Sequence, residues 1–180
     1  MTATCTESRL SLRPLAPGET DPVREVFDGL GPRSRELRFL VPMPELRPGM
    51  LRALSAVDER DHVALVAECD GHAVGIARFV RDLAERDSAE VAVTVVDSWQ
   101  NRGVGSRLAT ALADRAREVG VRRFTLVMLP DNEGALRLAD RVAGDVELIA
   151  GDAESAEFEI TLDARREPRR TTRTLKGGVR

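Results

Sequence analysis

The sequence predicts a single mixed α/β domain built on a central, mostly antiparallel sheet flanked by helices. Three observations carry this expectation. Residues 62–96 hold three consecutive strand-like runs, the first two joined by Asp70-Gly71, which makes an antiparallel meander and not a βαβ unit. A long amphipathic helix follows from Gly103 to Val119, with Leu108, Leu112, Ala116 and Val119 on one face. At 180 residues the chain is long enough for one well-buried domain and too short for two ordinary ones.

The elements follow in order. Leu10 to Leu15 alternates Leu10 and Leu12 with Ser11 and Arg13 before Pro14, which reads as a short first strand. Asp21 caps a helix with Pro22 at its first position, running to about Leu30 and ended by Gly31-Pro32. Ser34–Val41 and Met50–Val57 read as two short helices split by a proline-rich stretch, a pattern suited to a wall or lid. His62–Cys69, Ala73–Val80 and Ala89–Val96 are the strands of the meander, with a charged loop from Arg81 to Asp87 before the third. After the Gly103 helix, Arg122–Leu129 is a strand. Asp131 or Asn132 then caps a helix to about Val142, and Val146–Ile149 with Ala156–Leu162 closes the domain as a hairpin. The domain is expected to span residues 1–162, followed by a basic tail from 163 to 180.

Composition narrows the function class. A hydrophobic fraction of 42% and a charged fraction of 32% suit a globular protein with a solvated surface. No run approaches the roughly 20 apolar residues of a membrane span, and no basic-then-apolar leader opens the chain. Cys5 and Cys69 suggest no disulfide framework, so a reduced, cytoplasmic setting is expected. Two histidines and two cysteines, scattered, offer no metal-ligand cluster. The tail carries seven basic residues against two acids, a local charge of +5 in a chain of net −3. Without aromatics it reads as a solvated terminus, and no nucleic-acid partner is expected.

Chemistry concentrates in the loop Gln100-Asn101-Arg102-Gly103-Val104-Gly105-Ser106, set between a strand and a helix. Two glycines let the backbone turn sharply and approach a ligand with no Cβ in the way. Amides of residues 102–106 would then converge at a helix N-terminus, an anion site suited to a pyrophosphate. Arg102 adds a charge-assisted donor and Ser106 a hydroxyl. The glycine spacing and the preceding hairpins do not suit a dinucleotide fold, and no Gly-Lys-Ser/Thr follows as a P-loop requires.

The run from Glu90 to Leu108, in this element order, resembles the GNAT acetyltransferase superfamily over residues 9–162. Its closest likeness is to bacterial Pat-type protein-lysine acetyltransferase domains, through Arg38-Phe39, Asp61–Ala67 and Glu90-Val91-Ala92. The resemblance implies a sheet splayed at the fourth strand, with acetyl-CoA as co-substrate in the split. It assigns Gln100 to Ser106 to the pyrophosphate. Val93, Thr94 and Val95 fall on a bulged strand whose backbone meets the pantetheine arm, and Asn132 opens a helix facing the cofactor.

Acetyl transfer to an amine needs a base for the amine proton and an acid for the leaving thiol. Glu90, on the strand lining the acceptor side, is the candidate base, its carboxyl expected to be raised by apolar surroundings. The tyrosine that many of these enzymes carry as acid corresponds to Ala139, and the chain contains no tyrosine. The expected acceptor is a primary amine, first a protein lysine. A small-molecule amine and a weakly active acyl-CoA-binding sensor are the alternatives, and a homodimer is a possible assembly.

Overall fold

The computed structural model describes residues 10–142, 145–152 and 154–162. The expected tail, 163–180, lies outside the described residues, as does Cys5. Seven strands form one sheet: β1 (Leu10–Pro14), β2 (His62–Cys69), β3 (His72–Arg81), β4 (Ser88–Val95), β5 (Arg123–Met128), β6 (Asp145–Gly151) and β7 (Ala156–Thr161). Their spatial order is β1-β2-β3-β4-β5-β7-β6, antiparallel everywhere except between β4 and β5. Among the described residues, five α-helices accompany the sheet: α1 (Asp21–Asp28), α2 (Pro32–Phe39), α3 (Pro48–Ser55), α4 (Val104–Glu118) and α5 (Glu133–Val142).

Side-chain alternation sorts the sheet into two packed faces. One face sends Val63, Ala67, Ala77, Phe79 and Ala89 against Leu108, Leu112 and Ala116 of α4. The other sends Ala64, Val66 and Ile76 against Val23 and Val26 of α1 and Leu51 of α3. The helix α2 contributes no buried residue to either core, which leaves it as a wall, as its broken sequence suggested. Each face of the central strands is thus covered, so the meander is locked in register and can carry a cleft on its free edge.

Three details depart from expectation. The first helix begins at Asp21 itself, with Thr20 before it and no side-chain cap. The β3–β4 register runs unbroken from Arg81↔Ala89 to Gly75↔Val95, so the fourth strand carries no bulge at Val93 or Val95. Cys69, buried at the end of β2, is disulfide-bonded and not a free thiol.

The entry to β2 has its own fastening. Asp58 Oδ1 accepts the backbone N–H groups of Arg60, Asp61 and His62 at 2.9, 2.7 and 2.8 Å. Chiefly the His62 amide, with those of Arg60 and Asp61, holds this carboxyl below its ordinary value of 3.8. A lowered folded value stabilises above the unfolded value, and that stability is lost as pH falls through the folded value. Asp58→Ala should therefore cost about 1 kcal/mol, as loss of a side-chain cap does, at neutral pH and progressively less in acid. Denaturant unfolding at both pH values checks this; an equal cost at both would contradict it.

Candidate active site

The site follows from where β4 stops pairing. Its parallel partner β5 meets it only at Ser88↔Arg123, Ala89↔Phe124 and Glu90↔Thr125. Beyond Glu90 the strands part, while β5 stays paired with β7 as far as Met128↔Ala156. The β5-facing backbone edge of residues 91–95 is thereby left without a strand partner, which supplies the exposed edge that the expected bulge would have made. The split opens a cleft of about 640 Å³. One wall is α2 with α3 (Ser34, Leu37, Arg38, Phe39, Met50, Leu54) and the other is β5 with α5 (Leu126, Met128, Ala135, Leu138, Ala139).

Most of the residues singled out in the sequence line this cleft: Glu90, Val93, Thr94, Val95, Gln100, Asn101, Gly103, Gly105, Ser106 and Asn132. Two do not. Val104 is buried in the core, and the Arg102 guanidinium lies 5.2 Å from the Trp99 ring centroid as a cation–π pair.

The loop has the expected conformation for a local reason. Asn101 (φ 60°) and Gly103 (φ 79°) are both left-handed, a geometry that asparagine and glycine tolerate best. The first helical bond of α4 runs from Arg107 N to Gly103 O, so the amides of Val104, Gly105 and Ser106 have no helical acceptor. They form the positive end of a 15-residue helix at the cleft wall. A Cβ on Gly105 would stand 3.7 Å from Val95 and 3.8 Å from Leu138, two cleft-lining side chains. The glycine thus keeps the mouth of the cleft open between strand and helix.

Gln100 braces and does not reach outward. Its Nε2 lies 3.2 Å from Val95 O, 3.1 Å from Asp97 Oδ1 and 3.3 Å from Ser34 Oγ. Asp97 Oδ2 in turn accepts the Gly31 amide at 2.9 Å. An Arg33–Asp131 ion pair ties α2 to the turn before α5. The two walls and the loop are therefore fixed to one another. Asn132 caps α5 as expected, its Oδ1 accepting the Ala135 amide at 3.1 Å.

Glu90 lies on the α1–α3 face of the sheet, opposite Val80, and is exposed. The desolvated setting expected for it is not found, because Glu90 is exposed where it lines the cleft. The Glu90 charge is felt by Arg38, whose guanidinium burial pushes down and Glu90 pushes partly back up. Ala139, 5% exposed and lining the cleft, presents no hydroxyl where the family's tyrosine would stand. Ser34, Thr94 and Ser106 carry the hydroxyls among the described lining residues.

Sequence reasoning missed the cleft's arginines. Arg137 and Arg141 on α5 line it, and Arg141 donates to Ser106 Oγ at 3.3 Å. Their spacing of one helical turn, beside Leu138, would have placed them on the cleft side of α5. Arg38 also lines it, and Arg78 of β3 lies beneath, 7% exposed, lowered to about 9 by burial and by the charge of Arg38. His62 remains outside the cleft lining. Its Nδ1 is 2.9 Å from Ala56 O, and burial, then Arg78, lowers its imidazole.

Comparison with known proteins agrees with this geometry. The sequence model of the Acetyltransferase (GNAT) family matches residues 32–144, more than half of the chain. The chain is 36% identical over 135 residues to Acetyltransferase Pat of Mycolicibacterium smegmatis, covering 73% of this chain and 40% of that protein. It is 34% identical over 117 residues to Acetyltransferase PA5475 of Pseudomonas aeruginosa, covering 63% of this chain and 62% of that one. The chain thus spans less than two thirds of either relative's length. Among solved structures, the GNAT domain of S. lividans PAT superposes with a TM-score of 0.76 at 27% identity, covering 83% of this chain and 89% of that one. On the split sheet, the glycine loop and these matches, the chain belongs to the acetyltransferase (GNAT) family, the acetyl-CoA-dependent acyltransferases.

Proposed function

We propose that this chain acetylates a primary amine, first a lysine side chain of a protein, by direct attack within a ternary complex. The observation that carries the reading is the cleft itself. A helix N-terminus whose first three amides have no helical acceptor stands at one end, and an unpaired strand edge leads from it to Glu90, the one carboxylate among the described lining residues. The residues fit acetyl-CoA. The Val104–Ser106 amides with Arg141 suit its pyrophosphate, and the β4 edge suits the amide-bearing pantetheine arm. When bound, acetyl-CoA supplies an activated thioester.

The chain's own groups then have separate tasks. Glu90, exposed at the cleft rim, takes the proton of an acceptor ammonium arriving from solvent, directly or through one water. The free edge of β4 offers backbone donors to charge developing on the acyl oxygen. The walls, tied by Arg33–Asp131 and Gln100–Ser34, hold the two reactants in register, which supplies much of the rate. With alanine at position 139, the thiolate takes its proton from water.

The lysine reading is supported by the likeness to the Mycolicibacterium Pat protein and the S. lividans PAT domain. It is tested by incubating the protein with acetyl-CoA and a lysine-rich protein mixture, then mapping acetyl-lysine by mass spectrometry. Turnover confined to small amines would move the assignment to a small-molecule acceptor. Acetyl-CoA binding with no turnover on either would make the chain a sensor.

A further inference from the structure

Two arginines of similar burial in β3 are treated differently by the fold. Arg81, 7% exposed, has Asp61 at 2.8 Å and the carbonyls of Arg86 and Val119 as acceptors. Arg78, equally buried, donates Nη1 to Leu54 O at 2.5 Å, and the same atom lies 3.4 Å from His62 Nε2. Among the described residues, no carboxylate pairs with Arg78 or with its neighbour Arg38. An uncompensated buried cation is costly, and two close together are costlier. Arg38 feels the charge of Glu90 at the cleft rim, but among the described residues no acid stands against Arg78, whose buried charge is left without a carboxylate partner.

Both arginines line a small chamber beside the cleft. Arg78, Arg38, Phe39, Leu54, Ile76 and Thr94 line it, and four of them (Arg38, Phe39, Leu54, Thr94) also line the cleft. Strand register puts Arg78 on the same sheet face as Thr94 and Glu90, between their positions along β3–β4. The chamber holds about 30 Å³. At roughly 10–15 Å³ per water-sized atom, that suits the two oxygens of a carboxylate.

We propose that Arg78 and Arg38 form a carboxylate subsite opening off the acceptor side of the cleft, so that one reactant carries a free carboxylate. Planar guanidinium groups in an apolar chamber recognise a carboxylate through paired charge-assisted bonds. The carboxylate belongs either to a dicarboxylic acyl group on coenzyme A or to an acceptor bearing both an amine and a carboxylate. The bond changes are those of amide formation in both cases. The amine nitrogen bonds the acyl carbon, the carbon–sulfur bond breaks, and coenzyme A leaves as the thiol while the amine gives up a proton. The subsite does not depend on Glu90 or on a protein lysine as acceptor.

The test has two arms on the wild-type protein. In the first, succinyl-CoA is compared with butyryl-CoA, of equal chain length, in calorimetric binding and in turnover with a lysine peptide. In the second, ω-amino acids are compared with their primary amides as acceptors from acetyl-CoA, and as competitors of the lysine peptide. The expected result is a preference of about tenfold or more for the carboxylate in one arm, as charge-assisted bonding to a buried arginine gives. That arm identifies the source. Arg78→Gln should abolish the preference and Arg78→Lys should keep part of it, with thermal melting confirming both folds. If neither variant folds, Arg38→Gln serves in their place. No carboxylate preference in either wild-type arm overturns the proposal. A preference that persists when Glu90→Gln loses turnover upholds the subsite independently of the base, and full turnover in Glu90→Gln would refute only the base.

Discussion

Glu90→Gln should lower kcat/KM by roughly 10²–10⁴-fold, the range that a positioned base contributes, and leave acetyl-CoA affinity unchanged. The substitution keeps the size and hydrogen-bonding reach of the side chain and removes its ability to take a proton. Glu90 is exposed and opposite Val80 at the rim of the cleft, so folding should not suffer. Its partner by charge, Arg38, keeps its place on α2. The check is free-thiol release from acetyl-CoA with a saturating lysine peptide, beside calorimetric binding of acetyl-CoA to both proteins. A rate within a factor of about two of wild type would remove Glu90 from the mechanism; loss of acetyl-CoA binding would make it a ligand contact instead.

The second large effect belongs to Gly105→Val. The glycine has ordinary helical φ, and its missing Cβ would meet only Val95 and Leu138 at van der Waals distance. The fold should accept a side chain there with little loss of melting temperature. The cleft should not, because the added methyls enter the gap between β4 and α5 beside the free amides of α4. Acetyl-CoA should stabilise the wild type against heat, as a ligand of the folded state does, and lose most of that effect in the variant. Equal stabilisation of both would place the ligand away from this helix end. Gly103→Val tests something else. With φ at 79° it strains the backbone itself, so it should lower the melting temperature without any ligand present.

Much of this architecture was legible in the sequence because periodicity is local. The Asp70-Gly71 hairpin, the α4 stripe of Leu108, Leu112 and Ala116, and the Asn132 cap all lie within one element or one turn of it. Each is found where its pattern placed it. The features that were not legible depend on residues distant in the chain. Strand register, not residue type, decides whether β4 bulges or simply parts from β5, and the split after Glu90↔Thr125 comes from the geometry of two strands about 35 residues apart. Glu90 was expected in apolar surroundings because its strand is built largely of alanine and valine. It is instead exposed at the cleft, which no local pattern reveals. Gln100 sits in the expected loop, yet its amide is consumed by Val95, Asp97 and Ser34. The meeting of Arg38 with Arg78 joins a helix to a strand, with nothing in either local pattern to announce it.

Amide hydrogen exchange with and without acetyl-CoA tests the central claim most directly. The Val104, Gly105 and Ser106 amides have no helical acceptor, and the β5-facing edge of residues 91–95 has no strand partner, so these groups exchange fast unless a ligand covers them. Saturating acetyl-CoA should slow exchange in 91–95 and 101–106 above all, with a smaller effect along α5. No protection in these segments, or protection confined to another face of the domain, would contradict the assignment of this cleft as the acetyl-CoA site.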